Sequence, residues 1–148
     1  MSVEEAPSGG KLVPLRVSAR TDYALRAAAE LAARAGQGLV KAEAISQAQR
    51  IPHRFLLSIM TDLRRGGVVR SHRGADGGFE LARSPDQIPL LDVVIAVEGG
   101  LATVQNGRPD DSQYVGAARS LRDVWLAMES TMESVLRRVS LADLVDGS

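Results

Sequence analysis

Residues 41–83 read KAEAISQAQRIPHRFLLSIMTDLRRGGVVRSHRGADGGFELAR, and three changes of pattern inside this stretch decide the fold. Lys41 to Gln49 carries Ile45 and Ala48 three residues apart, the spacing of a short helix. Arg50 and Ile51 make a turn, and Pro52 suits the first turn of the next helix, where its fixed φ and missing N–H cost nothing. From Pro52 to about Arg65 the residues Phe55, Leu56, Ile59, Met60 and Leu63 fall on one inward face, and Gly66-Gly67 ends the helix. The period then becomes extended. Val68 to His72 and Gly78 to Arg83 are two short strands, and Asp76-Gly77 between them offers the positive φ angles of a tight hairpin. Helix, short turn, helix and glycine-tipped hairpin is the order of a winged helix-turn-helix. There the second helix is free to enter a DNA major groove while the hairpin tip reaches phosphates or the minor groove.

On this reading the outward positions of the second helix are His53, Arg54, Ser58, Asp62 and Arg65, the first three in the N-terminal half where base edges are met. The wing adds Ser71, His72 and Arg73, and Gly74, Gly77 and Gly78 would let its backbone approach DNA closely. Lys41, at the start of its helix, is placed for a phosphate contact. Each arginine taken singly is what any solvated surface carries. Their gathering on this motif is what points to DNA.

Working outward, Ser18 is a good N-cap, and Tyr23, Ala24, Ala27, Ala28, Leu31, Ala32 and Ala35 recur at helical spacing until Gly36 and Gly38. Residues 1–16 hold Pro7, Gly9, Gly10 and Pro14 without apolar period and read as a flexible N-terminal tail, so the DNA-binding domain spans 17–84. Residues 85–148 then comprise a linker helix at Leu90 to Glu98, a flexible loop over 99–116 and a long helix from Ala117 to Val139. In that helix Ala117, Leu121, Val124, Trp125, Met128, Met132, Val135, Leu136 and Val139 step by about 3.5 residues. Burying so long a stripe takes a second copy, which predicts a homodimer through Leu121, Trp125, Met128, Met132 and Leu136; packing on its own domain is the alternative. Ser140 and Asp143 have capping-box spacing and start a final turn at Leu141 to Val145. The fold class is therefore mainly α with a small β-hairpin wing: a winged helix-turn-helix domain plus a long dimerisation helix.

Composition narrows the function. The chain has 148 residues, 45% hydrophobic and 24% charged, the balance of a folded domain in water. No apolar run is longer than that of Val93 to Val97, which is too short to span a bilayer, and MSVEEAPSGG has no apolar secretion signal, so a cytoplasmic location with no membrane partner is expected. Net charge is zero, yet residues 41–83 hold eight basic and four acidic groups while residues 84–148 hold five and ten, which turns a basic middle toward a polyanion. With no cysteine there is no disulfide, thiolate nucleophile or cysteine-ligated metal, and no cofactor or metal site is expected. An enzyme is not expected either. The two histidines, His53 and His72, sit on the proposed DNA surface, and the wing glycines lead into a strand and not into the helix a phosphate loop needs. Tyr23 and Trp125 could flank a pocket for a small-molecule effector, or be plain core and interface aromatics.

The strings SARTDYALRAAAEL (18–31), IPHRFLLSIMTDLRRG (51–66), VRSHRGADGGFELAR (69–83) and IPLLDVVIAVEG (88–99) resemble the Rrf-two family of bacterial transcriptional regulators, over about residues 17–145. The resemblance implies a dimeric repressor that binds a pseudo-palindromic operator in double-stranded DNA. It carries DNA contact onto His53, Arg54 and Ser58, onto Arg73 with Gly77 and Gly78, and onto Ser18 with Arg20 and Arg26 at the start of the first helix. Cluster-binding members place three cysteines where this chain reads LATVQNGRPDDSQYVGAARS (101–120), so this is a cysteine-free member without the iron–sulfur ligands. Asp22 falls where one relative supplies a carboxylate ligand; alone it reads as a helix-start charge at the positive dipole end. Ser46 and Arg50 replace the alanine and turn glycine that many helix-turn-helix units use, which implies slightly looser packing. Some members respond through an enzyme partner, and the acidic 99–116 loop could dock one, so the alternative function is an interaction module controlled by a protein effector.

Overall fold

A computed structural model describes residues 17–98 and 114–147. The residues expected as the tail, 1–16, and most of those expected as a loop, 99–113, lie outside the described residues. The first helix, α1 (Ala19–Ala33), is capped by Ser18, whose hydroxyl accepts the Thr21 N–H at 3.0 Å. Ala24, Ala27 and Ala28 are fully buried along it, and such small side chains let neighbouring helices approach its backbone. Helix α2 (Ala42–Gln49) and helix α3 (His53–Arg65) follow, each packed on α1. Strands β1 (Val69–His72) and β2 (Gly78–Leu81) pair antiparallel in the register Val69 to Leu81. Val40 adds a short bridge to Phe79, with N–H to carbonyl distances of 2.9 and 2.8 Å, and so ties the wing to the start of α2.

Helix α4 (Leu90–Glu98) occupies the predicted span and packs against α1 and α3. Helix α5 (Leu121–Arg138) starts later than the expected Ala117, because Gly116 at φ +58° opens a single 3-10 turn over Gly116–Ala118. Helix α6 (Leu141–Asp146) begins with the expected capping box, both Ser140–Asp143 hydrogen bonds measuring 3.0 Å. Backbone bonds from Leu90 N–H to Val139 and from Leu141 N–H to Ile88 lock this end of the chain beside α4. One apolar core joins Leu31, Ile45, Ile59, Leu63, Val93 and Leu141, crossing the expected boundary at 84/85.

The structure also departs from expectation at Phe55 and at the hairpin tip. Phe55 was placed on the inward face of α3, but it is 44% exposed while Leu56, Ile59, Met60 and Leu63 are buried. The buried set centres on the 56–63 row, and Phe55 lies a quarter turn off it, toward α1. Asp76-Gly77 does not supply positive φ to the hairpin; Gly74, at φ +103°, does. The tip is a five-residue connection in which the Gly77 N–H returns to the Gly74 carbonyl at 2.9 Å.

Candidate nucleic-acid interface

Presentation of α3 depends on the turn before it. Arg50 adopts the left-handed conformation (φ 55°, ψ 49°), a position that costs a non-glycine residue about 1 kcal/mol. The Ser46 hydroxyl donates to the Ile51 carbonyl at 2.5 Å, and the Ile51 N–H returns to the Ser46 carbonyl at 3.0 Å. Serine in place of alanine therefore adds a bond across the turn, and Ile45 and Ile51 on either side are buried, so the looser packing expected there is not found. Arg26 of α1 donates to the Gln49 carbonyl at 2.9 Å, filling an acceptor that the end of α2 leaves open.

The turn sets α3 with Leu56, Ile59, Met60 and Leu63 inward and with Arg54, Ser58, Thr61 and Arg65 on the opposite side, at i, i+4, i+7 and i+11, while Leu57 stands on the flank between the two faces. His53 is exposed at its first residue. The Arg54 guanidinium lies 4.9 Å from the centroid of the Phe55 ring, which stacks in turn on Tyr23 at 6.3 Å. Sequence reasoning passed over Thr61 on this face and Leu57, 45% exposed, at its edge; the signal for Leu57 was an apolar side chain beyond the buried row of the 3.6-residue period.

In the wing, Ser71 and Arg73 are exposed, and His72 Nε2 lies 2.9 Å from Glu80 on the facing strand. Lys41 is exposed, and its ammonium donates to the Ala75 carbonyl, so it braces the wing tip. Gly77 and Gly78 have intramolecular reasons to be glycine. A Cβ on Gly77 would stand 2.0 Å from the His72 carbonyl oxygen, and one on Gly78 would stand 2.7 Å from that of Val40.

The α1 residues are largely occupied. Arg20 pairs with Asp62 and donates to the Ser58 hydroxyl at 3.1 Å, which brings together two residues expected to touch DNA separately. Arg26, besides holding Gln49, lies 4.8 Å over the Tyr23 ring and 3.2 Å from Asp22. Ser18 contacts the Glu98 carboxylate at the end of α4, and Thr21 donates to the same oxygen at 2.6 Å. By contrast Arg50, Arg54, Arg64, Arg65, Arg70 and Arg73 are all exposed and engage no carboxylate among the described residues. This uncompensated charge lies on α3, the turn before it and β1 with its tip.

Of the expected interface residues on α5, Leu121 and Met128 are exposed, Trp125 and Met132 are half-buried, and Leu136 packs against the core of its own chain. The indole N–H of Trp125 is buried with no hydrogen-bond partner among the described residues. Tyr23 faces Phe55 and Arg26, and neither it nor Trp125 lines the cavity of about 400 Å³ between the end of α1 and the wing, bounded by Arg34, Gly38, Val40, Phe79, Arg83 and Pro85. No described helix is long and apolar enough to cross a membrane.

The Rrf2 family model, described as an iron-dependent transcriptional regulator, matches residues 17–147. A Mycobacterium tuberculosis protein named as an HTH-type transcriptional regulator is 42% identical over 134 residues, covering 90% of this chain and 83% of its own. The solved structure of IscR from T. potens has a TM-score of 0.73 at 29% identity and covers 90% of this chain and 88% of its own. That of CymR, the global cysteine regulator of B. subtilis, has a TM-score of 0.73 at 27% identity and covers 91% and 99%. The residues present do not fit the iron of the family description as a cysteine-held cluster. The chain has no cysteine, and among the described residues no three His, Cys, Asp or Glu side chains are grouped so that they could hold a metal ion.

Proposed function

The chain belongs to the Rrf2 family of transcriptional regulators, and from that premise we propose that it is a cluster-free repressor, not an enzyme, whose homodimer binds a pseudo-palindromic operator in double-stranded DNA. The observation that carries the reading is the concentration of exposed, uncompensated arginines on α3, the preceding turn and the wing. Arginines without an internal carboxylate keep their full charge for phosphates and their guanidinium fork for guanine. A symmetric dimer places two such helices on successive major-groove faces. Support for the second copy comes from α5, where Leu121, Val124, Met128 and Val135 are exposed at spacings of three, four and seven residues.

The test is selection of duplexes from a random pool by the full chain, then titration of the selected site against competitor at 50 and 200 mM salt. If each dimer neutralises roughly six to ten phosphates, affinity should fall on the order of 10³- to 10⁵-fold between those salts. Competitor-resistant binding to an enriched inverted repeat is the expected result. Failure to enrich any sequence, or an affinity indifferent to salt, would overturn the proposal.

A further inference from the structure

Leu57 sits where a leucine has no structural reason to be. It lies on the flank of α3, one residue and so roughly 100° beyond the buried Leu56, with Arg54 three residues before it and Thr61 four residues after it leading onto the outward face. Its neighbour Phe55 is similarly exposed, but that ring is engaged by Tyr23 on one side and Arg54 on the other. Leu57 is 45% exposed and belongs neither to the core nor to the half-buried shell around it. The Thr61 hydroxyl is turned back onto the Leu57 carbonyl at 3.0 Å, so the polar group next to the leucine is satisfied within the helix.

An isobutyl group on the edge of an arginine-bearing helix face has one fitting contact on a duplex. Of the base edges in the major groove, only thymine presents a methyl group, and apolar side chains recognise it by burial. Phosphates and the polar edges of guanine, adenine and cytosine would all be desolvated by Leu57 without compensation. We propose that Leu57 is a specificity-determining residue that packs against the 5-methyl group of one thymine in each operator half-site. Arg54, held over the Phe55 ring, supplies the charged contact beside it. The inference rests on the regulator reading above and adds the base class that the helix selects.

Removing a methyl group tests it directly. Operators selected by the wild-type chain would be rebuilt with deoxyuridine at each thymine in turn, and binding compared for wild type and Leu57→Ala. Burial of one methyl is worth about fourfold in affinity. Wild type should lose about fourfold at one thymine per half-site and be indifferent to the others, whereas Leu57→Ala binds the thymine and uracil duplexes equally. Because Leu57 is exposed, the variant should melt within about 2 °C of wild type, which separates lost reading from lost fold. If wild type binds its operator tightly but no uracil substitution matters, or if Leu57→Ala keeps the same sensitivity, the thymine assignment is wrong while the regulator reading stands. If no operator is enriched at all, both fail.

Discussion

Arg20 shows how a side chain suited to DNA can already be committed inside the protein. Its guanidinium joins Asp62 and the Ser58 hydroxyl, so the start of α1 is fastened to the middle of α3, and its charge is offset by a carboxylate 29% exposed. In the proposed DNA-bound state, Asp62 would compete with phosphate for Arg20. Asp62→Asn should release that charge, steepening the log–log dependence of DNA affinity on salt by about one unit per protomer. Tighter nonspecific binding at low salt, fading as salt rises, is the expected signature in parallel titrations. An unchanged slope would place Arg20 out of reach of the backbone. Asp62 and Ser58 were both visible as outward positions, but their partner Arg20, 42 and 38 residues away, was not, because an α1–α3 contact leaves no local pattern. Gly77 and Gly78 carry the same lesson. Their small size was legible, whereas its cause, the carbonyls of His72 and Val40, belongs to tertiary structure.

Among the elements, α2 is held to α1 by a polar seam as well as by Ile45. Glu30 accepts from Gln49 at 2.8 Å and from Arg34 at 2.7 Å, while Arg26 of the same helix holds the Gln49 carbonyl. Partial burial pushes the Glu30 carboxyl up, but the hydrogen bonds from Gln49 and Arg34 and the charge of Arg34 outweigh it and hold the group below its ordinary 4.5. A pKa lower in the folded than in the unfolded chain means that the unfolded chain takes up the proton first as pH falls. The seam therefore stabilises the fold above about pH 4.5 and is lost as pH drops through the folded value. Glu30→Gln should flatten this acid limb: urea melts between pH 6 and pH 3 should show a smaller loss for the variant than for wild type. Equal losses would assign the acid sensitivity to other carboxylates. The elements themselves were readable from periodicity and capping, as Ser18 and the Ser140–Asp143 box show. Phe55 is exposed against expectation because a three-residue apolar run, Phe55-Leu56-Leu57, leaves the exact edges of a helical stripe open.

At the scale of the molecule, α5 divides its apolar stripe between two duties. Leu136 and the following Val139 close the chain's own core, while Leu121, Val124, Met128 and Val135 stay exposed along the helix. The sequence showed the stripe but not the division, since a 3.5-residue repeat does not say which neighbour covers which edge. The proposed dimer assigns the exposed half to the partner copy, and the indole N–H of Trp125, without a hydrogen-bond partner among the described residues, is a group that a second chain could satisfy. Met128, 43% exposed within one chain, is then the position where a charge separates the two duties. Met128→Glu should leave the single-chain core intact, so far-ultraviolet dichroism should match wild type, while sedimentation shifts from dimer to monomer. A monomer reads one half-site without the effective concentration supplied by its twin, and operator affinity should fall by roughly 10²- to 10⁴-fold. Nonspecific binding at low salt should fall far less, because each α3 and wing keep their arginines. A Met128→Glu chain that remains dimeric would move the interface off this stripe, and one that is monomeric yet binds the operator at full strength would remove the need for a second reading head.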